Sequence, residues 1–333
     1  MKVLAGDIGG TKTMLGILEK GPSGWIRHAE RTVPSGAFGS FDDLVDEFVR
    51  AQPLAFDAAC FGVAGPVRSG RVRGANMPWT IDEGSVARRL GGAKVALIND
   101  FAAQSLGILE LGAHELAALN PDAAQIDTTA PAAVIGAGTG LGESILLRLH
   151  GRPVAIATEG GHCDFAPRNE REIALLRYAA ARVGHVSYER IISGPGLALI
   201  YEFVRDSATG GASESKAARD AIARAEDPSP AISRAALDGS DALAAEALRL
   251  FVSIYGAEAG NLSLRAVAHG GVFVTGGIAA KILPSLQDGA FLAAFVDKGR
   301  LRPLVSTFPV FVVLNPTTGL LGAAAEAVRI AEG

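Results

Sequence analysis

The sequence predicts an α/β fold made twice over, in two domains. Three observations point there. Strand-like and helix-like segments alternate through the first hundred or so residues, the pattern of a layered α/β domain. A glycine-rich turn between two apolar runs occurs at residues 6–13 and again at 136–142, and that separation is far longer than the roughly 20–50-residue period of a solenoid, so it reads as a duplicated domain. The length of 333 residues, at roughly 150 per domain, agrees with two domains.

Taken in order, apolar runs at 3–5 and 14–18 make a strand, turn and strand around the first glycine turn. Ser40 caps an amphipathic helix that puts Phe41, Leu44, Val45, Phe48 and Val49 on one face. A buried strand at 58–63 comes next, then a helix at 81–90 ended by Gly91-Gly92, then a strand at 94–98. Runs at 132–135 and 144–149 flank the second glycine turn. Helices dominate the second half: 170–183, and a long stretch over 241–268 expected to break or bend near Gly256 or Gly260. The polar segment 207–238 reads as a surface excursion of short helices and loops. Strands at 272–274 and 310–314 and a helix at 319–330 close the chain. If that helix returns to the first domain, the small α/β domain is 1–108 plus 315–333, and 109–314 is a large α/β domain with helical insertions.

Composition narrows the function classes. Hydrophobic residues make up 49% and charged residues 20%, enough apolar surface for packed cores and no case for disorder. The net charge of −4 is spread without a basic block, so nucleic acid is not expected as a partner. Cys60 and Cys163 lack CxxC or CxxH spacing, as in a reduced intracellular protein, and Cys60 reads as a small buried hydrophobe. Asp7 interrupts any signal-peptide core, and no window approaches the ~20 apolar residues of a membrane span. A cytoplasmic protein with no membrane partner is expected. A homodimer is compatible with the sequence, which does not fix the oligomeric state.

The first glycine turn is close to a Walker A motif, but Thr11 replaces its second Gly and a β-like alternation succeeds it instead of a helix. A glycine turn between antiparallel strands can still align N–H groups as an anion nest, with Thr11 or Thr139 adding a hydroxyl. Two such turns suit a nucleotide's phosphates, and Asp7 is then placed to hold Mg²⁺ through water; the plain alternative is two tight hairpins. Gly276-Gly277, after an apolar strand, meets an adenine or ribose or is an ordinary strand-to-helix turn. Asp100 stands at a strand end, where it can accept the proton of an attacking hydroxyl while Asn99 anchors a neighbouring one; it can also cap the helix starting at Phe101. Glu159 and His162, three residues apart with glycines between, offer an acceptor and a donor to vicinal sugar hydroxyls. His185 and Glu189 form a second polar pair, Glu189 serving as a ligand residue or as half of a surface salt bridge. With Cys163 the only thiol near, a zinc site is not expected.

Seven ordered segments then carry a resemblance: Gly6-Asp7-Ile8-Gly9-Gly10-Thr11, residues 62–66, Ile98-Asn99-Asp100-Phe101, residues 138–142, residues 159–167, residues 189–197 and Thr275-Gly276-Gly277-Ile278. Over nearly its whole length the chain resembles the bacterial ATP-dependent glucokinases of the non-ROK type, in the actin-like (ribonuclease H-like) ATPase superfamily of sugar kinases. The resemblance implies two domains with a cleft between them, and a cleft so placed is expected to close on glucose and expel water that would compete as acceptor. The resemblance also implies transfer of the γ-phosphoryl group of Mg·ATP to the 6-hydroxyl of D-glucose, with Asp100 as catalytic base. It assigns glucose to Asn76, Asn99, Asp100, Glu159, His162 and Glu189. ATP falls to Gly6, Asp7, Ile8, Gly9, Gly10, Thr11, Gly138, Thr139, Gly276 and Gly277, and Mg²⁺ to Asp7. Two features depart from the family pattern: Lys12 stands where a small or amide residue is often seen, and the surroundings of Asn76 match loosely. A kinase of an acylated hexosamine shares the fold and the base, and a sugar panel assayed with ATP separates the two. A non-catalytic sugar-sensing regulator is the rival of another class, but such regulators usually carry a helical extension before the first strand, which begins here at Val3.

Overall fold

In the computed structural model, residues 1–22, 24–73, 77–208 and 214–333 are described. The chain divides into two compact units, Met1–Glu115 with Leu146–Ala157 and Asn315–Gly333, and Leu116–Ile145 with Thr158–Leu314.

The first unit is built on a five-stranded sheet of order β3-β2-β1-β4-β7. Its chain begins with β1 (Lys2–Ile8), β2 (Lys12–Gly21), β3 (Gly24–Pro34) and β4 (Ala58–Val63). A small ribbon of β5 (Arg71–Arg73) and β6 (Thr80–Asp82) precedes β7 (Lys94–Asn99). Strands β1, β2 and β3 form an antiparallel meander, whereas β1, β4 and β7 run parallel. The period-two alternation of β1 feeds two cores. Leu4 and Ile8 enter one with Phe41, Phe48 and Phe61. Val3 and Ala5 enter the other with Cys60, Leu320 and Ala324 of the C-terminal helix, Thr318–Glu332. Every residue of β4 is buried, as expected of a parallel strand covered on both faces.

Helix α1 (Phe41–Ala51) is capped by Ser40, whose hydroxyl accepts from the Asp43 N–H at 3.0 Å. The helix expected over 81–90 is shorter, α2 (Glu83–Arg89). Thr80–Asp82 instead pairs with Arg71–Arg73, and Asp82 becomes the N-cap, accepting from the Ser85 N–H. Helix α3 (Asp100–Ile108) crosses the C-terminal helix at Gly107 and Gly322, where each glycine lies against the other helix's backbone.

The second unit holds β8, β9, β12, β13 and the start of β10 in a six-stranded sheet of order β11-β10-β9-β12-β13-β8. The strands of this sheet are β8 (Leu116–Ala118), β9 (Ala132–Ala137), β10 (Leu141–Leu149), β11 (Arg152–Thr158), β12 (Val272–Thr275) and β13 (Val310–Val313). Without β8 the order repeats that of the first sheet, third, second, first, fourth and fifth strand, with β9, β12 and β13 parallel.

Its helices begin with α4 (Glu170–Val183), α5 (Tyr188–Ile191) and α6 (Gly194–Asp206). The 207–238 excursion contains α7 (Lys216–Arg224) and α8 (Ser229–Leu237). Helix α9 (Ala242–Ala266) runs 25 residues without the expected break. Its two glycines are where another backbone comes close: a Cβ on Gly256 would strike the Phe291 carbonyl, and one on Gly260 the Phe295 carbonyl. Four short helices come after β12, namely α10 (Gly276–Ala279), α11 (Leu283–Leu286), α12 (Ala290–Phe295) and α13 (Arg302–Val305). Tyr201, Phe251, Tyr255 and Phe291 anchor the core between sheet and helices. No described helix is long and apolar enough to cross a membrane.

Candidate active site

In the first unit, the parallel strands bring the predicted residues to one end of the sheet. Register places Asp7 beside Gly62 and Gly62 beside Ile98, and Ile8 beside Val63 and Val63 beside Asn99. At about 4.8 Å per strand, Asp7 and the β7 terminus are about 10 Å apart. Asn99, and not Asp100, is the N-cap of α3: its Oδ1 accepts from the N–H groups of Phe101 (2.8 Å) and Ala102 (3.3 Å). Its Nδ2 donates to the Gly65 carbonyl at 3.1 Å. The capping role allowed for Asp100 therefore belongs to its neighbour, because the chain turns into the helix one residue earlier. Asp100 becomes the first helical residue, half-buried, with its Oδ1 accepting from the Phe101 N–H at 3.0 Å. Asn76 lies outside the described residues.

The Gly9–Thr11 turn joins β1 to β2, with Thr11 and Lys12 exposed. The Gly9 N–H donates to the Lys12 carbonyl at 3.0 Å. Buried Ser35 braces the turn: its hydroxyl donates to the Gly9 carbonyl (2.7 Å), its N–H donates to the Thr11 carbonyl (2.9 Å), and it bonds the Thr13 hydroxyl. Burial pushes the Asp7 carboxyl up to about 6, with Lys12 pulling it down. A Cβ on Gly319, at the start of the C-terminal helix, would lie 2.8 Å from Asp7 Oδ2 and 3.0 Å from Gln104 Nε2, so a glycine is what lets that helix close on the carboxylate. Sequence reasoning missed Ser35, Gln104 and Gly319. Each acts from a distant stretch of chain, and only the turn-like Pro34-Ser35-Gly36 hinted at one of them.

In the second unit, the β9–β10 turn holds Gly138 and an exposed Thr139. The Gly138 N–H donates to the Gly140 carbonyl, and the Gly138 carbonyl accepts from the Gly194 N–H, both at 2.8 Å. Gly276 packs against Ala137 at the end of β9 with φ of 87°; a side chain there is strained and would meet the Ala137 backbone. The structure thus brings Gly276-Gly277 beside Gly138-Thr139.

Glu159, His162 and Glu189 converge. His162 Nε2 is 3.9 Å from Glu159 Oε2, and its Nδ1 is 3.9 Å from Glu189 Oε1. Glu159 and His162 are about two-thirds exposed, Glu189 about a third. Glu189 Oε2 accepts from the Leu141 N–H at 3.0 Å, which ties this group to the Gly138–Gly140 turn. Ser187 caps α5 and so sets the direction of Glu189. The expected His185–Glu189 pair does not form. His185 bonds Asp164 at 2.6 Å instead, while Glu189, inside α5, turns to the Leu141 N–H and His162. The Glu159 turn rests on buried Glu143, which sequence reasoning also missed: a Cβ on Gly160 would overlap Glu143 Oε2.

The family model described as Glucokinase matches residues 4–330. Curated glucokinases of Trichormus variabilis and Synechocystis are each 42% identical, over 98% of this chain and 99% and 98% of theirs. A crystal structure of glucokinase from an Antarctic psychrotroph superimposes with a TM-score of 0.83 at 28% identity, covering 98% of this chain and 99% of that one. The fold is also shared with a Balamuthia mandrillaris glucokinase solved with glucose, at a TM-score of 0.78, 21% identity and coverage of 98% and 93%. A ROK family glucokinase from Streptomyces griseus solved with glucose and AMPPNP gives 0.70, 20% and coverage of 99% and 100%. With a family match across almost the whole chain and curated glucokinases 42% identical over 98% of it, the chain belongs to the glucokinase family and is an ATP-dependent hexose kinase.

Proposed function

We propose that Asp100 takes the proton of the 6-hydroxyl of D-glucose as that oxygen attacks the γ-phosphorus of Mg·ATP in line. The observation that carries this is the division of labour at the β7 terminus. Asn99 takes over the capping of α3, and Asp100 is half-exposed at the sheet end that also carries Asp7 and the Gly9–Thr11 turn. Phosphoryl transfer is mostly positioning and charge stabilisation, with one group to receive the nucleophile's proton.

Glu159, His162 and Glu189 form an acceptor–donor–acceptor set for vicinal hydroxyls, and Asn99 adds its amide. Phosphate oxygens take the donors between the hairpin-closing bonds, at Gly10-Thr11 and Thr139, while Gly276-Gly277 lies alongside the nucleoside. The residues fit Mg²⁺ as a partly hydrated ion held by Asp7, a desolvated carboxylate that a cation relieves. Asp7 would hold such an ion together with phosphate oxygens and water. When bound, the ion neutralises charge on the transferring phosphates. The reaction belongs in the cytoplasm, where ATP is available, with glucose as the partner and no need of nucleic acid or membrane; the net charge of −4 without a basic block supports this.

Asp100→Asn keeps the hydrogen-bonding shape and removes the base. Calorimetry is expected to find glucose affinity nearly unchanged, while ADP release falls roughly 10²–10⁴-fold. Turnover within a few-fold of the parent removes Asp100 from the role.

A further inference from the structure

We propose that Glu143, with Glu258, Arg265, Asn261 and Tyr188, is a positioning network beneath the Glu159–His162 turn that sets the affinity for glucose. The inference rests on the sugar-site reading above and names groups that touch no substrate.

Glu143 and Glu258 are both fully buried. Thr158 Oγ1 donates to the Glu143 carbonyl at 3.2 Å and accepts from the Gly160 N–H at 3.1 Å. Backbone and side chain of Glu143 therefore both bear on the turn, since Gly160 also lies against its Oε2. Arg265 Nη1 lies 2.9 Å from Glu258 Oε1 and 3.5 Å from Glu143 Oε2. The Asn261 amide donates to Glu258 Oε2 (2.8 Å) and to the Tyr188 hydroxyl (3.1 Å). Tyr188 directly precedes Glu189, and its N–H donates to the Cys163 carbonyl at 2.9 Å. One cluster thus supports all three sugar-facing side chains.

Glu143 Oε1 meets no donor group in its buried surroundings, and the Glu258 carboxyl is close enough to Glu143 to hydrogen-bond with it through a proton. Two carboxyls can face each other in a buried site only by holding a proton between them. Burial, then Glu258, pushes Glu143 up to about 8 against the pull of Arg265. The titratable and charged groups facing the cluster are Glu258, Arg265 and Tyr255 from α9, Tyr188 from α5, Cys163 from the turn and Lys298 after α12. Below that value the proton is present and the turn lies flat on β10. As pH rises through it, a second buried charge forms against Gly160, and the turn carrying Glu159 and His162 is pushed outward to admit water.

Glucose binding to the full-length protein, without nucleotide, is measured by calorimetry from pH 6.5 to 9.5. The parent is expected to weaken about five- to tenfold across the alkaline limb, a protonated-carboxyl infrared band disappearing with the same midpoint. Glu143→Gln, which supplies the bridging hydrogen permanently, is expected to hold the neutral-pH affinity throughout, while Glu143→Ala weakens glucose at every pH. A flat parent profile, a Gln variant that tracks the parent, or an infrared band absent at neutral pH overturns the network; the parent's own profile and spectrum decide even if a variant does not fold. Absence of glucose binding at every pH overturns the underlying sugar-site reading instead.

Discussion

Asp7 shares the end of β1 with Lys12, Gln104 and Gly319, and its ligand-free state is costly because the carboxylate is desolvated. Its folded value of about 6 against 3.8 for the free group fixes the sign. Between those values the folded chain holds the proton longer than the unfolded one, so stability falls as pH rises through the window. At pH 7 the whole penalty is present, at most about 3 kcal/mol for a shift of that size. Asp7→Asn removes it. Urea unfolding of the ligand-free variant is expected to show a gain of about 1–3 kcal/mol at pH 7 that vanishes near pH 3.5, together with weaker binding of Mg·ATP. Equal stability at pH 7, or a gain that persists in acid, counts against burial as the cause.

Among the elements, α9 shows where local propensity misleads. Read from the sequence, Gly256 and Gly260 are weak points of a long helix, since glycine in a helix interior costs about 1 kcal/mol relative to alanine. In the structure they are contact points, with α12 backbone lying where their side chains would be. Propensity alone predicts that Gly256→Ala stabilises. Packing predicts the reverse, a loss of about 1–3 kcal/mol from overpacking against the Phe291 carbonyl. Denaturant unfolding of this variant separates the two, and a gain in stability would remove the close contact as the reason for glycine. The same competition acts at 81–90, where Thr80–Asp82 completes a ribbon with β5 and the helix starts only at Glu83. Pairing with a distant partner cannot be seen in a local hydrophobic pattern.

Across the whole chain, duplication was legible because it is written locally: each half has its own glycine hairpin, and each sheet repeats one strand order. Glu159, His162 and Glu189 were legible as residue types beside glycines. The hidden part is support reaching the site from far along the chain, such as Ser35 under Gly9, Gly319 against Asp7, and Glu143 with Glu258 under Gly160. Stability is uneven for the same reason, since segments with few buried contacts open at low cost while buried strands open only globally. Strands β4, β9 and β12 are buried at every residue. Helix α7 buries only Ala218, and its Arg224 pairs with Asp220 at 3.7 Å in the open, a contact of little strength. Trypsin therefore meets Lys216, Arg219 and Arg224 on the least anchored helix of the excursion. Mass spectrometry of a short digestion is expected to find the first cut within 216–224. Since every proposed catalytic and ligand residue lies elsewhere in the sequence, the nicked protein is expected to keep most of its ADP release with glucose. A first cut inside α4 or the C-terminal helix, both of which carry arginines, would show that packing does not set the order of opening.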